Sequence, residues 1–461
     1  MDIVTVRSDN DASNLTRVCR RIRTAAALGS VALASVSAGL SAELTWHSAK
    51  GYRWAELAVP QQGRTGFRLM PAIETGIQFT NVLDELEGAR NRVLFNGSGL
   101  AMGDFDRDGR VDLYVCGLDT PNALYRNEGG WQFKDVARIT GAHLPGQHYR
   151  GAVFADLNGD EALDLLVTTT GQGTVVLQND GQGRFIDVTT QAGTGSDRGS
   201  VTLALADVDG NGTVDLYITT NRKNDIRDRG RVSVGMRNGQ LVLPTDLQDR
   251  LVLMGGTVQE LGEPDQLLLN DGHGHFKEVA WTQGAFLDEV GQPLKTIPRD
   301  WGLTGTFRDL NADGAPDLYL CNDYWSPDRV WMNDGRGRFR ALDPLAIRHT
   351  SASSMGVDIT DVDLDGHVDI YVLDMLSRDP YLRKRQMLAQ SPMVSPMGVH
   401  PDRPQIMRNT LLLNRGDTTF AEIADYAGIP ASEWSWSPVF IDVDLDGLED
   451  LLIPAGHTKD V

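Results

Sequence analysis

The chain has 461 residues, with 43 Lys and Arg against 63 Asp and Glu, and a formal charge of −20 at pH 7. That length suits one large repeat domain or two to three ordinary ones. Charge of this sign argues against nucleic acid as a partner, because phosphate would be repelled.

The first segment reads as an export signal. Arg17, Arg20, Arg21 and Arg23 precede an apolar run from Ala25 to Leu40, and small residues follow, with cleavage expected after Ala38 or Ala42. Residues 1–42 are therefore assigned to a signal peptide and residues 43–461 to the mature domain, which is expected to be periplasmic, cell-surface or secreted. The run is too short and too rich in Ala and Ser for a convincing membrane span, and no other run approaches membrane length, so no transmembrane segment is expected in the mature chain.

Six acidic nonapeptides follow. Their positions 1, 3, 5 and 9 hold Asp104, Asp106, Asp108 and Asp112; Asp156, Asn158, Asp160 and Asp164; Asp207, Asp209, Asn211 and Asp215; Asp309, Asn311, Asp313 and Asp317; Asp361, Asp363, Asp365 and Asp369; Asp442, Asp444, Asp446 and Asp450. Hard oxygen ligands crowded on a tight turn are what calcium requires, so these residues are the predicted ligands of about six Ca2+ ions. Position 7 is expected to contribute only its backbone carbonyl, which fits the unrelated side chains found there: Arg110, Ala162, Thr213, Ala315, His367 and Leu448. Position 6 is Gly109, Gly212, Gly314, Gly366 and Gly447, the residue a sharp turn needs. Loop 2 has Glu161 instead and is expected to form the weakest or most distorted site. These loops are not EF-hands: position 12, where an EF-hand needs Glu, is aliphatic in all six, from Val115 to Ile453. The loops supply 21 aspartates at ligand positions, and six divalent ions would bring the formal charge from −20 to −8, so the acidity reads as stored ligand charge.

A second landmark, Asn-x5-Phe, recurs as Asn127/Phe133, Asn179/Phe185, Asn270/Phe276, Asn333/Phe339 and Asn414/Phe420. From ninth loop residue to Asn the distance is 15, 15, 55, 16 and 45 residues, and from Phe to the next loop 23, 22, 33, 22 and 22. The basic unit is thus about 51 residues, and loops 3 and 4, though 102 apart, bracket one unit carrying insertions. One insertion lies near 222–263 and is mixed in charge, with a further excess of about 10 residues after Phe276; another lies near 378–408 and is basic and Met-rich. Each unit offers four short apolar stretches bounded by Gly, Asn and Asp turns, with no helical period between them. The predicted fold is all-β, a β-propeller of four-stranded blades with calcium loops, of six to seven blades and incomplete here. Gly76–Phe79 and Trp54–Leu57 are candidate strands of a preceding unit, and the natural protein is expected to continue past Val461.

The loops and the Asp-Leu-Tyr-like strands resemble the FG-GAP/VCBS repeats of integrin α-chain propellers. Asn96-Gly97-Ser98-Gly99, Arg299-Asp300-Trp301-Gly302, Cys321-Asn322-Asp323, Asp374–Asp379 and Ser432–Trp436 are similar to exported bacterial proteins of the CRTAC/ASPIC-UnbV group. The resemblance runs from about Trp54 to Val461 and implies a calcium-bound, seven-bladed, integrin-like propeller, here without the C-terminal ASPIC/UnbV domain.

Chemistry beyond metal binding is sparse. There is no His-Glu-x-x-His, Gly-x-Ser-x-Gly or P-loop motif, and nine His form no spaced cluster. Cys19 lies in the leader, while Cys116 and Cys321 follow loops 1 and 4 at the same offset and are expected to be buried thiols without a disulfide. Tyr324, Trp325, Trp331, Trp434 and Trp436 are expected to pack between blades, the alternative being exposed surfaces for sugar rings or a protein partner. The functional reading is an exported, non-catalytic calcium propeller that binds a surface protein or glycan; the alternative is a polysaccharide lyase or hydrolase on the same scaffold.

Overall fold

Each acidic loop runs directly into an aliphatic strand, and in the first five repeats that strand is the second of a four-stranded antiparallel sheet. The computed structural model describes residues 45–50, 52–55, 66–230, 232–254, 257–388 and 404–455. The expected signal peptide (1–42) and residues 389–403 of the second insertion lie outside them. The chain divides into two compact units. One contains the hairpin of Trp46–Ala49 with Tyr52–Ala55 and the segment Phe440–Leu451 that carries loop 6; the other contains the five sheets, between Leu69 and Val439.

Sheet 1 runs Leu100–Gly103, Asp112–Val115, Ala123–Gly129, Gln132–Asp135, and sheet 2 Tyr149–Ala155, Asp164–Thr169, Thr174–Asn179, Phe185–Asp187. Sheet 3 runs Ser200–Ala206, Asp215–Thr220, Gln266–Asn270, Phe276–Glu278. Sheet 4 is Gly302–Arg308, Asp317–Asn322, Arg329–Asn333, Phe339–Ala341, and sheet 5 is Gly356–Thr360, Asp369–Leu373, Thr410–Asn414, Phe420–Glu422. The Asn-x5-Phe spacing is a hairpin register: Asn127, Asn179, Asn270, Asn333 and Asn414 each lie directly opposite their Phe.

The second strands of sheets 2 to 5 are buried along their whole length, as expected of sheets covered on both faces. Alternate residues serve alternate interfaces. Leu165 and Val167 pack toward sheet 1 with Tyr114 and Leu124, whereas Leu166 packs toward sheet 3 with Leu216, Ile218 and Leu268. The Phe landmark of sheets 2 to 5 packs into the preceding loop, so Phe185 meets Phe105 with ring centroids 5.9 Å apart, and Phe276, Phe339 and Phe420 join Leu157, Val208 and Leu310. Each such side chain contributes about 1.5–3 kcal/mol through burial. Cys116 and Cys321 are buried free thiols in two different clusters.

The first strands of successive sheets approach one another closely. Gly99 N–H donates to Arg150 O, Thr202 Oγ1 to Leu303 O (2.8 Å) and Thr304 Oγ1 to Met355 O (3.0 Å). A Cβ on Gly151 would lie 2.6 Å from Val201 O, and one on Gly356 would lie 2.3 Å from Trp436 O, so a side chain at either position would push neighbouring sheets apart. Sheets packed face to face with their first strands adjacent in chain order follow the radial repetition of propeller blades.

The excess residues have definite places. Those after Phe276 form a turn at Trp281–Ala285 and a strand, Phe286–Leu287, which adds in parallel to the outer edge of sheet 4. The first insertion builds two hairpins, Gly235–Arg237 with Gln240–Val242 and Leu251–Met254 with Thr257–Glu260. The second contributes a helix, Pro380–Leu388, and a two-residue strand, Gln405–Ile406. Gly76–Phe79, read as a strand from its sequence, is not one. A helical turn at Ala72–Thr75 ends there on Gly76 at φ +79°, as the turns at Ala137–Thr140, Thr189–Ala192 and Ala424–Ala427 end on Gly141, Gly193 and Gly428.

A second set of buried polar groups ties the second strand to the third in sheets 1, 3, 4 and 5. Tyr114 accepts from Asn122 and Tyr371 from Asn409, whereas Tyr217 and Tyr319 donate to Asp265 and Asp328. Burial pushes both carboxyls up to about 7. Because the native state holds these protons more tightly than the unfolded chain, stability rises as pH falls from ~8 toward ~5. Asp265→Asn with Asp328→Asn, the residue repeats 1 and 5 already use, is expected to raise the melting point at pH ~8 and to flatten this dependence, as read by thermal melts across pH.

Candidate metal centre

The six loops fold alike. In each, the position 1 carboxylate accepts the backbone N–H groups of positions 5 and 6, at 3.0 and 2.8 Å for Asp104, 3.2 and 2.9 Å for Asp156, and 3.0 and 2.8 Å for Asp442. The position 5 side chain accepts the N–H of position 7, as Asp108 does from Arg110 at 2.9 Å and Asp365 from His367 at 2.8 Å. These bonds aim the side chains inward.

Position 9 does something else as well. Both oxygens of Asp112 are taken by backbone donors, Phe105 N–H at 3.2 Å and Asn127 N–H at 2.7 Å, and Asp164, Asp215, Asp317 and Asp369 repeat the pair. Burial pushes Asp112, Asp164 and Asp215 up to about 6 and Asp317 up to about 7, against the pull of these two N–H groups. Position 9 therefore pins the loop to its sheet, leaving one lone pair on each oxygen for a cation.

The carboxylates gather unevenly. Within 4.8 Å of one another lie oxygens of Asp104, Asp106 and Asp108; of Asp207, Asp209 and Asp215; of Asp361, Asp363 and Asp365; and of Asp442, Asp444 and Asp450. Loops 2 and 4 form no such acidic group among the described residues: Asn158 and Asn311 stand at position 3, and each amide donates 2.9 Å to its own position 5 carboxylate, Asp160 or Asp313. Asn211 occupies position 5 of loop 3 and accepts from Thr213. In loop 1, Oδ1 of Asp106 is shut off from solvent yet accepts no hydrogen bond. Burial first, then repulsion by Asp108 and Asp104, raises the pKa of Asp106. A shielded, unsatisfied carboxylate oxygen beside two further aspartates suits a hard divalent cation.

Glu161 does not distort its turn. It adopts φ +66°, close to the +84° to +91° of the five glycines, and its N–H still reaches Asp156 at 2.9 Å. Sequence reasoning missed a second left-handed position, residue 4, where Arg107, Gly159, Gly210, Ala312, Leu364 and Leu445 all have positive φ. The glycines of loops 2 and 3 were the available signal.

It also missed what the Asn landmark does. The amide of Asn179 donates to Leu163 O in its own repeat and, at 2.8 Å, to Phe105 O at position 2 of the preceding loop. Asn270, Asn333 and Asn414 bridge in the same way to Leu157, Val208 and Leu310, each at 2.9 Å. Every loop from 1 to 4 is thereby clasped by the next repeat.

Of the aromatics, Trp331 is fully buried against Trp281, Phe286 and Phe339, and Trp436 packs beside Val201, Leu303 and Met355. Tyr324 is 48% exposed.

A family model described as FG-GAP-like repeat matches residues 104–167, 156–218, 309–372 and 402–453. Cartilage acidic protein 1 of Xenopus tropicalis is 34% identical over 98 residues, 21% of this chain and 15% of that protein; its Mus musculus counterpart is 32% identical over 95 residues, 20% and 15% respectively. The matched stretch thus spans about 15% of the length of these relatives. Among solved structures, an Agrocybe aegerita lectin described as recognising non-reducing terminal N-acetylglucosamine is 16% identical, with a TM-score of 0.32 over 69% of this chain and 77% of that one. The V. cholerae biofilm matrix protein Bap1 is 13% identical, with a TM-score of 0.29 over 77% and 65%.

Asn333→Asp would turn a carboxylate toward the carbonyls of Val208 and Pro316. It is expected to cost about 3 kcal/mol in urea denaturation. Asp106→Asn, by removing a repelling charge, is expected to raise the melting point in chelator by about 1–3 °C.

Proposed function

Because the chain belongs to the FG-GAP-like repeat family, we propose that it is an exported, non-catalytic, calcium-stabilised β-propeller that binds a protein or glycan at a surface. The single observation that carries the calcium reading is the repeated cage: six loops with one hydrogen-bonded turn, four of them already gathering three carboxylates. Asp, Asn and backbone oxygens are the hard donors calcium takes, and the flexible side chains at positions 3 and 5 suit its variable coordination. Bound calcium would supply the positive charge that offsets the repulsion among each loop's aspartates. Asp104, Asp106 and Asp108, with their counterparts in the other loops, would hold it, and position 9 would keep the loop fastened to its sheet. At free calcium one hundred times the dissociation constant, each site adds about 2.7 kcal/mol to stability.

The same reading places the chain with exported bacterial CRTAC/ASPIC-UnbV proteins, on the motifs around Asn96, Arg299 and Asp374 and the stretch shared with cartilage acidic protein 1. Among the described residues no helix is long and apolar enough to cross a membrane.

Thermal melting in about millimolar calcium against excess chelator tests the proposal. A rise of roughly 10 °C or more with calcium is expected, since several sites act together. That increment should shrink in Asp106→Asn and Asp363→Asn, and an unchanged midpoint would refute the calcium reading.

A further inference from the structure

The first insertion lays its last strand, Thr257–Glu260, beside the segments that flank the first and second strands of sheet 4. Between them opens a notch of about 280 Å3, lined by three aromatic rings, Trp301, Tyr324 and Trp325, and by Asp225, Arg227 and Glu260. We propose that this notch binds a single neutral sugar ring at the end of a glycan. The inference deepens the surface-binding reading above and rests on it.

The two indoles are fixed, Trp301 buried at the back of the notch and Trp325 half-buried at its edge. The indole N–H groups of Trp301 and Trp325 both donate to Glu260 O, at 3.0 and 2.8 Å, so neither is left for a ligand, and each ring plane is set by the insertion. Trp301, only 3% exposed, backs Tyr324 edge to face, centroids 4.9 Å apart at 71°, so the rings open to a ligand are Tyr324 and the half-buried Trp325. Exposed aromatic surface beside a polar rim suits a ring with apolar C–H surfaces and equatorial hydroxyls.

Tyr324 is not placed there to fill a core. Its backbone takes φ +59°, a conformation a bulky side chain seldom adopts, and the residue is 48% exposed. Strain retained in order to display an aromatic side chain points to use.

The polar rim suits hydroxyls and leaves no charge for a cation. Arg227 Nε lies 2.9 Å from each oxygen of Asp225, and both residues line the notch beside Tyr324. Planar donors and acceptors are thus held side by side at the notch, as pairs of vicinal hydroxyls require. Glu260 is matched by Arg250 at 2.5 Å and Arg222 at 3.3 Å. With both carboxylates compensated, the open rings of Tyr324 and Trp325 favour a neutral ring over a quaternary ammonium group. The volume, at the small end of ligand pockets, admits one such ring.

The test uses the full chain against an immobilised panel of neutral oligosaccharides ending in hexose, N-acetylhexosamine, deoxyhexose or pentose, with free tetramethylammonium chloride as the cationic probe and tryptophan emission as a second readout. At least one saccharide is expected to bind and to shift the emission. Trp325→Ala and Arg227→Ala should weaken that binding tenfold or more, while Trp325→Phe stays within about threefold. Tyr324→Gly, which relieves the left-handed residue, should lose binding without a lower melting point. Saccharide binding that all these variants retain would overturn the notch while leaving the surface-binding reading intact. No saccharide bound by the wild-type chain would overturn both the notch and the glycan arm, leaving a protein partner. Capture of tetramethylammonium alone would make the notch a cation cage and overturn the sugar assignment.

Discussion

A buried asparagine amide shared between two repeats is the constraint on which the rest of the structure depends. Its two protons reach a carbonyl of its own sheet and a carbonyl inside the preceding acidic loop, while its N–H is held by the position 9 aspartate. A loop that gathers like charges thus cannot relax outward without breaking a hydrogen bond to the next sheet. In a buried setting each lost partner costs about 1–3 kcal/mol, so the electrostatic state of one loop is felt by two sheets.

This coupling explains why the charge is tolerated. Like charges confined in a loop oppose folding, and the backbone donors at positions 5, 6 and 7 offset only part of that opposition. The pKa values of Asp112, Asp164, Asp215 and Asp317 are raised chiefly by burial, and repulsion from neighbouring loop aspartates adds to it in each. A divalent cation bound as proposed would offset that repulsion at its source. The loops would then act as fasteners whose strength follows the metal concentration, and a metal-poor compartment would leave the repeats under tension.

Local features were legible in the sequence because local rules govern them. Asn-x5-Phe is one hairpin, Asp-x-Asp-x-Asp-Gly one turn, and the aliphatic runs one buried strand per repeat. The missed features are those whose partner lies far along the chain. Asn414 bonds Leu310, 104 residues away, and nothing near Asn414 announces it. Phe286–Leu287 could be counted as excess but not placed, because its partner strand begins at Phe339. Trp331 and Tyr324 sit in one short stretch, yet one is core and the other displayed, because Trp281 and Phe286 cover Trp331 while Tyr324 faces the notch beside the first insertion. The left-handed fourth loop position was hidden by Arg107, Ala312, Leu364 and Leu445, residues no turn rule would place there.

Native mass spectrometry of the full chain, exchanged into a volatile buffer with trace calcium, tests the central claim most directly by counting ions. The account predicts about six calcium ions per chain, one per acidic loop, held cooperatively and removed together by chelator with a broadening of the charge-state distribution. A chain that carries no calcium and keeps a narrow, folded distribution would contradict it.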